Sequence, residues 1–144
     1  MKKSNESALA SVAELKTVLD NATFVAGYDF EVVAATHGEC QLRVPFNAKL
    51  ERPDGIINGV TIMGAADVAM WLAIMTVRGT EEDWVTSDLK TAFLRSGKKE
   101  SLLCIARVLK MGKRTAYGTA ECVGAKSGLL AHHTVTYARI VKPL

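Results

Sequence analysis

The sequence predicts an α+β domain in which an antiparallel sheet wraps around one long buried helix. Three observations carry this. The window from Asn58 to Val77 is apolar on nearly every side, and a helix without a polar face is a buried one. Four strand-like runs follow it, at about Trp84–Leu94, Ser101–Lys110, Thr115–Val123 and Leu129–Ile140. The turns between these runs are short and polar, so successive runs are antiparallel neighbours.

Taken in chain order, Ser4 or Asn5 can cap a first helix with Glu6 in its first turn. Leu9, Val12, Ala13, Leu15, Val18 and Leu19 then recur at near-helical spacing, and Asn21 ends the run. This predicts an amphipathic helix within residues 1–21, packed on the outside of the domain. Two short strands follow, about Asp29–Thr36 and Glu39–Val44, joined by a turn at His37-Gly38. A loop, Pro45–Ile57, is punctuated by Pro53-Asp54-Gly55. Asn58-Gly59 starts the central helix. Its small residues Gly64, Ala65, Ala66 and Ala69 allow close approach of a sheet or a second helix. No repeat and no linker divides the chain, so residues 1–144 read as one domain.

The composition, 49% hydrophobic and 23% charged over 144 residues, excludes disordered, collagenous and low-complexity classes. Aromatics are 6%, so the core must be mainly Ala, Val, Leu, Ile and Met. Between Lys90 and Arg114 eight basic residues meet one acid, Glu100, a net +7 against −4 for the rest of the chain. Such a local field favours an anionic ligand, or forms a solvated basic face. Cys40, Cys104 and Cys122 are widely spaced and odd in number, which fits reduced thiols in the cytoplasm. The N-terminus has no unbroken apolar stretch after its lysines, so no signal peptide is expected. No run reaches the ~18 uninterrupted apolar residues of a membrane span.

Asp67 is the first candidate for chemistry. It stands in Met63-Gly64-Ala65-Ala66-Asp67-Val68-Ala69-Met70-Trp71, the most apolar stretch of the chain. A carboxylate there is costly unless it is paired, hydrogen-bonded or used, and desolvation makes a carboxylate a better general base. A buried hydrogen-bonding partner, or a residue facing a groove, would fit the same position. The second element is Gly55-Ile56-Ile57-Asn58-Gly59-Val60. Backbone N–H groups at a helix start point outward at the positive end of its dipole. Such a turn can hold a carbonyl oxygen while negative charge develops on it.

Together, Gly55, Asn58, Gly59 and Asp67 match the spacing Gly-x-x-[His/Asn]-Gly-(x)7-Asp, and the chain resembles the hotdog-fold thioesterases of the phenylacetic-acid-pathway type. The resemblance runs from about Asp29 to Ile140. It includes Asp88–Arg95, similar to a family strand ending in Phe-Leu-Arg-Pro, and Val108–Ala116, similar to a basic hairpin. It implies hydrolysis of an acyl-CoA thioester, with CoA entering only as part of the substrate and no other cofactor. It implies that Asp67 is general base or nucleophile, that Gly59 and Val60 supply oxyanion N–H groups, that Asn58 orients the carbonyl and that Thr86 places the attacking water. Lys110, Lys113, Arg114 and Arg95 would lie near the CoA phosphates. Met63 and Trp71, with Met70 and Ile74, would line an acyl tunnel, unless they are plain core.

Gly59 and Asp67 are eight residues apart, ~12 Å along one helix. A base and an oxyanion donor must both lie within hydrogen-bond reach of the reacting atoms. Two antiparallel helices in a dimer can achieve this, so a homodimer, or a dimer of dimers, is expected. The chain departs from the family pattern in three places: Asn58 replaces His, Val60 replaces a second Gly, and Arg52 stands where an Asn is usual. These departures leave a second reading open, a non-catalytic acyl-CoA binder on the same fold. His37, His132 and His133 do not sit where a hydratase would need them. His132 and His133 point to opposite faces of a strand, so no metal site is expected. Apart from Phe93 the basic stretch lacks the interleaved aromatics of a nucleic-acid platform, and neither nucleic acid nor membrane is an expected partner.

Overall fold

The computed structural model describes residues 6–141. Among them the expected order holds: α1 (Val12–Asn21), β1 (Glu31–Thr36), β2 (Glu39–Val44), α2 (Gly59–Arg78), β3 (Asp83–Phe93), β4 (Leu102–Met111), β5 (Thr115–Gly124) and β6 (Gly128–Ile140). Ends fall within two residues of the sequence reading except at α1, which begins later. Ser4 and Asn5 lie outside the described residues. The cap is Ser11: its hydroxyl accepts from Glu14 N–H (3.1 Å), and Glu14 Oε1 accepts from Ser11 N–H (3.2 Å). This reciprocal box satisfies two N–H groups that a helix start would leave open. Residues 6–10 lead in without helix, and Leu9 N–H donates to Thr76 O near the end of α2 (2.7 Å). Leu15 and Leu19 bury the inner face of α1, which packs on β1.

The six strands form one antiparallel sheet in the order β1-β2-β4-β5-β6-β3. The hairpins follow from short turns, as at His37-Gly38, where Gly38 takes φ 84°. Burial alternates along β2 and β5, as in a sheet with one covered face. The inner face, with Leu42, Val44, Cys104, Ala106, Ala120 and Val135 among its buried residues, closes on α2. Ala65, Ala66, Ala69 and Ala73 are fully buried on the helix, which lets it sit close to the strands. β3 is an edge strand of 11 residues, most of them exposed.

α2 is less uniformly buried than its composition predicts. Twelve of its 20 residues are buried, while Val60, Met63, Gly64, Asp67 and Trp71 form a partly open stripe at helical spacing. By length and composition alone α2 could cross a membrane, but 67% of its most apolar window is buried inside this fold. It is the core helix of the sheet that surrounds it.

Glu100, the one acid of the basic stretch, ties two turns together. Its side chain accepts from Lys98 N–H (3.0 Å), Lys126 N–H (2.9 Å), Ser127 N–H (3.0 Å) and Ser127 Oγ–H (2.7 Å). Burial pushes its carboxyl up, but these four donors outweigh burial and hold it at about 2, below its ordinary 4.5. A folded-state value below the unfolded one means stability that is complete above 4.5 and lost as pH falls toward 2. Glu100→Gln is therefore expected to lower the unfolding free energy at pH 7 by about 2 kcal/mol, the scale of charge-assisted bonds lost in a buried site. Urea titrations should show the gap between variant and wild type narrowing through that acid window. A gap independent of pH would overturn this assignment.

Candidate active site

Asp67 sits in the middle of the open stripe of α2, with Met63 one turn before it and Trp71 one turn after. The Trp71 ring packs against Phe24 from the segment after α1 (centroids 5.9 Å apart, planes at 55°). A Cβ at Gly64 would meet nothing within 4 Å, so this stripe of the helix is not covered by the rest of the chain.

Two strands reach Asp67. Thr86 Oγ1 donates to Asp67 Oδ1 (2.6 Å). The Tyr137 hydroxyl lies 2.7 Å from the same Oδ1 and 2.8 Å from the Asp67 backbone oxygen, and its one proton serves both. Thr86 on β3 and Tyr137 on β6 are direct partners in the sheet register. A β-bulge between Thr86 and Asp88 makes this possible. Beyond it Leu89 and Thr91 oppose Val135 and His133, whose side chains are buried, so strict alternation would turn Ser87 inward and Thr86 outward. The extra residue resets the phase and turns Thr86 toward α2. Burial and the nearby Asp67 carboxylate push the Tyr137 hydroxyl up, so it remains a neutral donor.

The sequence alone does not single out Tyr137. The available signal was a hydroxyl-bearing aromatic at an inward position of the last strand, two residues after Val135. That signal does not say what the hydroxyl meets.

Asn58 is the N-cap of α2. Its Oδ1 accepts from Thr61 N–H (2.8 Å) and Thr61 Oγ1–H (3.1 Å), and its Nδ2 donates to Leu50 O (2.6 Å). It shapes the turn that presents the first N–H groups. Gly59 and Val60 open the helix, where N–H groups have no intrahelical acceptor. Val60 is 70% exposed. A Cβ at Gly59 would come within 3.0 Å of the tip of Phe93, so glycine there keeps the end of β3 close to the helix start.

These elements lie at two ends of the molecule. Asp67, Thr86 and Tyr137 share an end with the β4–β5 hairpin, since Ala116 opposes Tyr137 and Arg139 N–H bonds Arg114 O. Lys110, Lys113 and Arg114 are exposed there. Gly59 sits instead beside Phe93, and Arg95 beyond it bonds Ser127 O on the β5–β6 turn (2.8 Å). Within one chain, Arg95 does not join the hairpin cations. β5 and β6 run their full length between the two places.

His132 and His133 face opposite sides of β6, as alternation predicts. His133 is fully buried, 2.7 Å from Thr91 Oγ1 through Nδ1 and 3.4 Å from Cys122 Sγ through Nε2. All three cysteines are buried free thiols.

An antiparallel sheet wrapped around one long central helix is the hotdog fold. Residues 54–141 match the model of the thioesterase superfamily. The "Putative esterase SSO1253" of Saccharolobus solfataricus is 30% identical over 131 residues, 91% of this chain and 87% of that protein. The conserved protein PA5202 from Pseudomonas aeruginosa superposes with a TM-score of 0.78 at 26% identity, over 83% of this chain and 94% of that one. The Escherichia coli PaaI protein from the phenylacetic acid degradation operon shares the fold, with a TM-score of 0.79 at 20% identity over 88% and 90% of the two chains. The chain belongs to the thioesterase superfamily.

Proposed function

We propose that this protein hydrolyses acyl-CoA thioesters to a free acid and CoA, with Asp67 as the catalytic carboxylate. The observation that carries this reading is the Asp67 carboxylate itself, half-buried on an apolar helix and held by Thr86 and Tyr137 at one oxygen. The thioester carbonyl oxygen accepts from the N–H of Gly59, with Val60 beside it, in the turn that Asn58 caps. Asp67 takes a proton from water as that water attacks the carbonyl carbon; alternatively its carboxylate attacks the carbon, forming an acyl-Asp67 anhydride that a water then hydrolyses to the free acid, regenerating Asp67. On either route the C–S bond breaks and the CoA sulfur leaves as thiolate, to be protonated. The Thr86 hydroxyl donates a hydrogen bond to Asp67 and keeps its proton, so its oxygen is left to accept a hydrogen bond from the attacking water.

Gly59 and Asp67 are ~12 Å apart along α2, too far to act on one carbonyl. The working unit is therefore a homodimer, alone or paired into a tetramer. β3 supports this: a long exposed edge invites a second strand. Antiparallel pairing of two β3 edges would bring the Phe93 and Gly59 end of one copy to the Thr86 and Asp67 end of the other. The same pairing would carry Arg95 toward the other copy's Lys110, Lys113 and Arg114, where the CoA phosphates would bind. Met63 and Trp71 flank the acyl group. The cytoplasm, where CoA esters and reduced thiols coexist, is the compartment this reading implies.

The test is free-thiol release from a panel of short, long and aryl acyl-CoAs. Turnover supports hydrolysis. Stoichiometric retention of a CoA ester without turnover would instead favour a binder, a reading suggested by Asn58 and Val60 where the family has His and Gly. Replacing both Lys113 and Arg114 with Glu is expected to raise KM for acyl-CoA about tenfold or more, a loss of ~1.4 kcal/mol in binding. KM for an N-acetylcysteamine thioester, which lacks the phosphates, should stay within twofold. Equal losses on both substrates would remove the hairpin from the CoA site.

A further inference from the structure

We infer that Tyr137 is a positioning residue that, together with Thr86, occupies Oδ1 of Asp67 and thereby assigns the reaction to Oδ2. This rests on Asp67 being the catalytic carboxylate. Two donors, at 2.6 and 2.7 Å, converge on one of its two oxygens. A carboxylate oxygen that accepts two short bonds has little lone-pair capacity left for a water. Oδ2 is then the oxygen that faces substrate.

Tyr137 does more than fill a lone pair. Its hydroxyl meets both the backbone oxygen and the side chain of the same residue, so it fixes the carboxylate relative to the helix that carries it. Thr86 comes from the neighbouring strand, and the register partnership of the two makes their convergence a property of the sheet rather than of a mobile loop. Tyr137 is itself only 4% exposed, so it is held by packing and does not touch substrate. It acts through Asp67. Small errors in carboxylate placement are costly, since ~1 Å can lower a rate about 100-fold.

The experiment is a double-mutant cycle on thioester hydrolysis, with Tyr137→Phe, Asp67→Asn and the pair, each checked for an unchanged melting profile or compared at equal folded fraction. Tyr137→Phe keeps the ring and removes one oxygen. It should lower kcat roughly 10- to 100-fold with KM within twofold of wild type. In the Asp67→Asn background the same substitution should lower the residual rate by less than about threefold, because the group through which it acts is already gone. A general structural role would lower the rate by the same factor in both backgrounds, and that result overturns the inference. So does Tyr137→Phe with wild-type kcat while Asp67→Asn is inactive, which leaves the assignment of Asp67 intact. Asp67→Asn with wild-type turnover removes the catalytic reading itself, a separate outcome.

Discussion

Asp67→Asn is expected to lower kcat for acyl-CoA hydrolysis by two or more decades, at least ~2.7 kcal/mol of barrier. The amide keeps the size of the side chain and can still accept from Thr86 and Tyr137 through its oxygen. It cannot take a proton from water or form an acyl bond, so chemistry is removed while packing is retained. Because the residue stands on a partly open stripe, the substitution should leave the urea midpoint close to that of wild type. Free-thiol release under saturating substrate, beside a denaturation curve, separates the two effects. Wild-type kcat in a folded Asp67→Asn protein would falsify the role given to this carboxylate.

Gly118→Ala is expected to have the largest effect on stability, about 3 kcal/mol. Gly118 lies on β5 opposite Val108, next to the bulge between Val108 and Lys110. A Cβ there would overlap the carbonyl oxygen of Arg107 and come within 2.5 Å of Met70 Cε on α2. Met70 can turn away, but a carbonyl fixed in a ladder cannot. Equilibrium urea unfolding should show the loss, and adding Met70→Ala should not restore it. A Gly118→Ala midpoint within a few tenths of a kcal/mol of wild type would show that the strands yield at this point.

Much of the architecture was legible from local pattern. Short polar turns forced antiparallel neighbours, and a helix with no polar face had to be wrapped. Local pattern places the start of α1 too early, because Ser4 and Asn5 are good caps in isolation. Ser11 has Glu14 at the third helical position, and the reciprocal pair of bonds decides the start. Asp67 stood out because a carboxylate among Ala, Val and Met demands a reason. Its partners did not stand out. Thr86 entered through a family likeness, and Tyr137 not at all, because hydroxyls on strands are common and their targets lie on other elements.

By itself the sequence determined the order of elements, the buried helix and the isolated acid on it, because each depends on residues close in the chain. The tertiary structure decided three further points. The bulge before Asp88 chose which face Thr86 takes, a one-residue shift that inverts every side chain on a strand. The register of β3 against β6 brought Thr86 and Tyr137 to one oxygen of Asp67. The length of β5 and β6 separated Arg95 and Gly59 from Asp67 and the basic hairpin. Each of these is a relation between segments far apart in sequence, set by which strands pair and in what register, and local propensity carries no record of it.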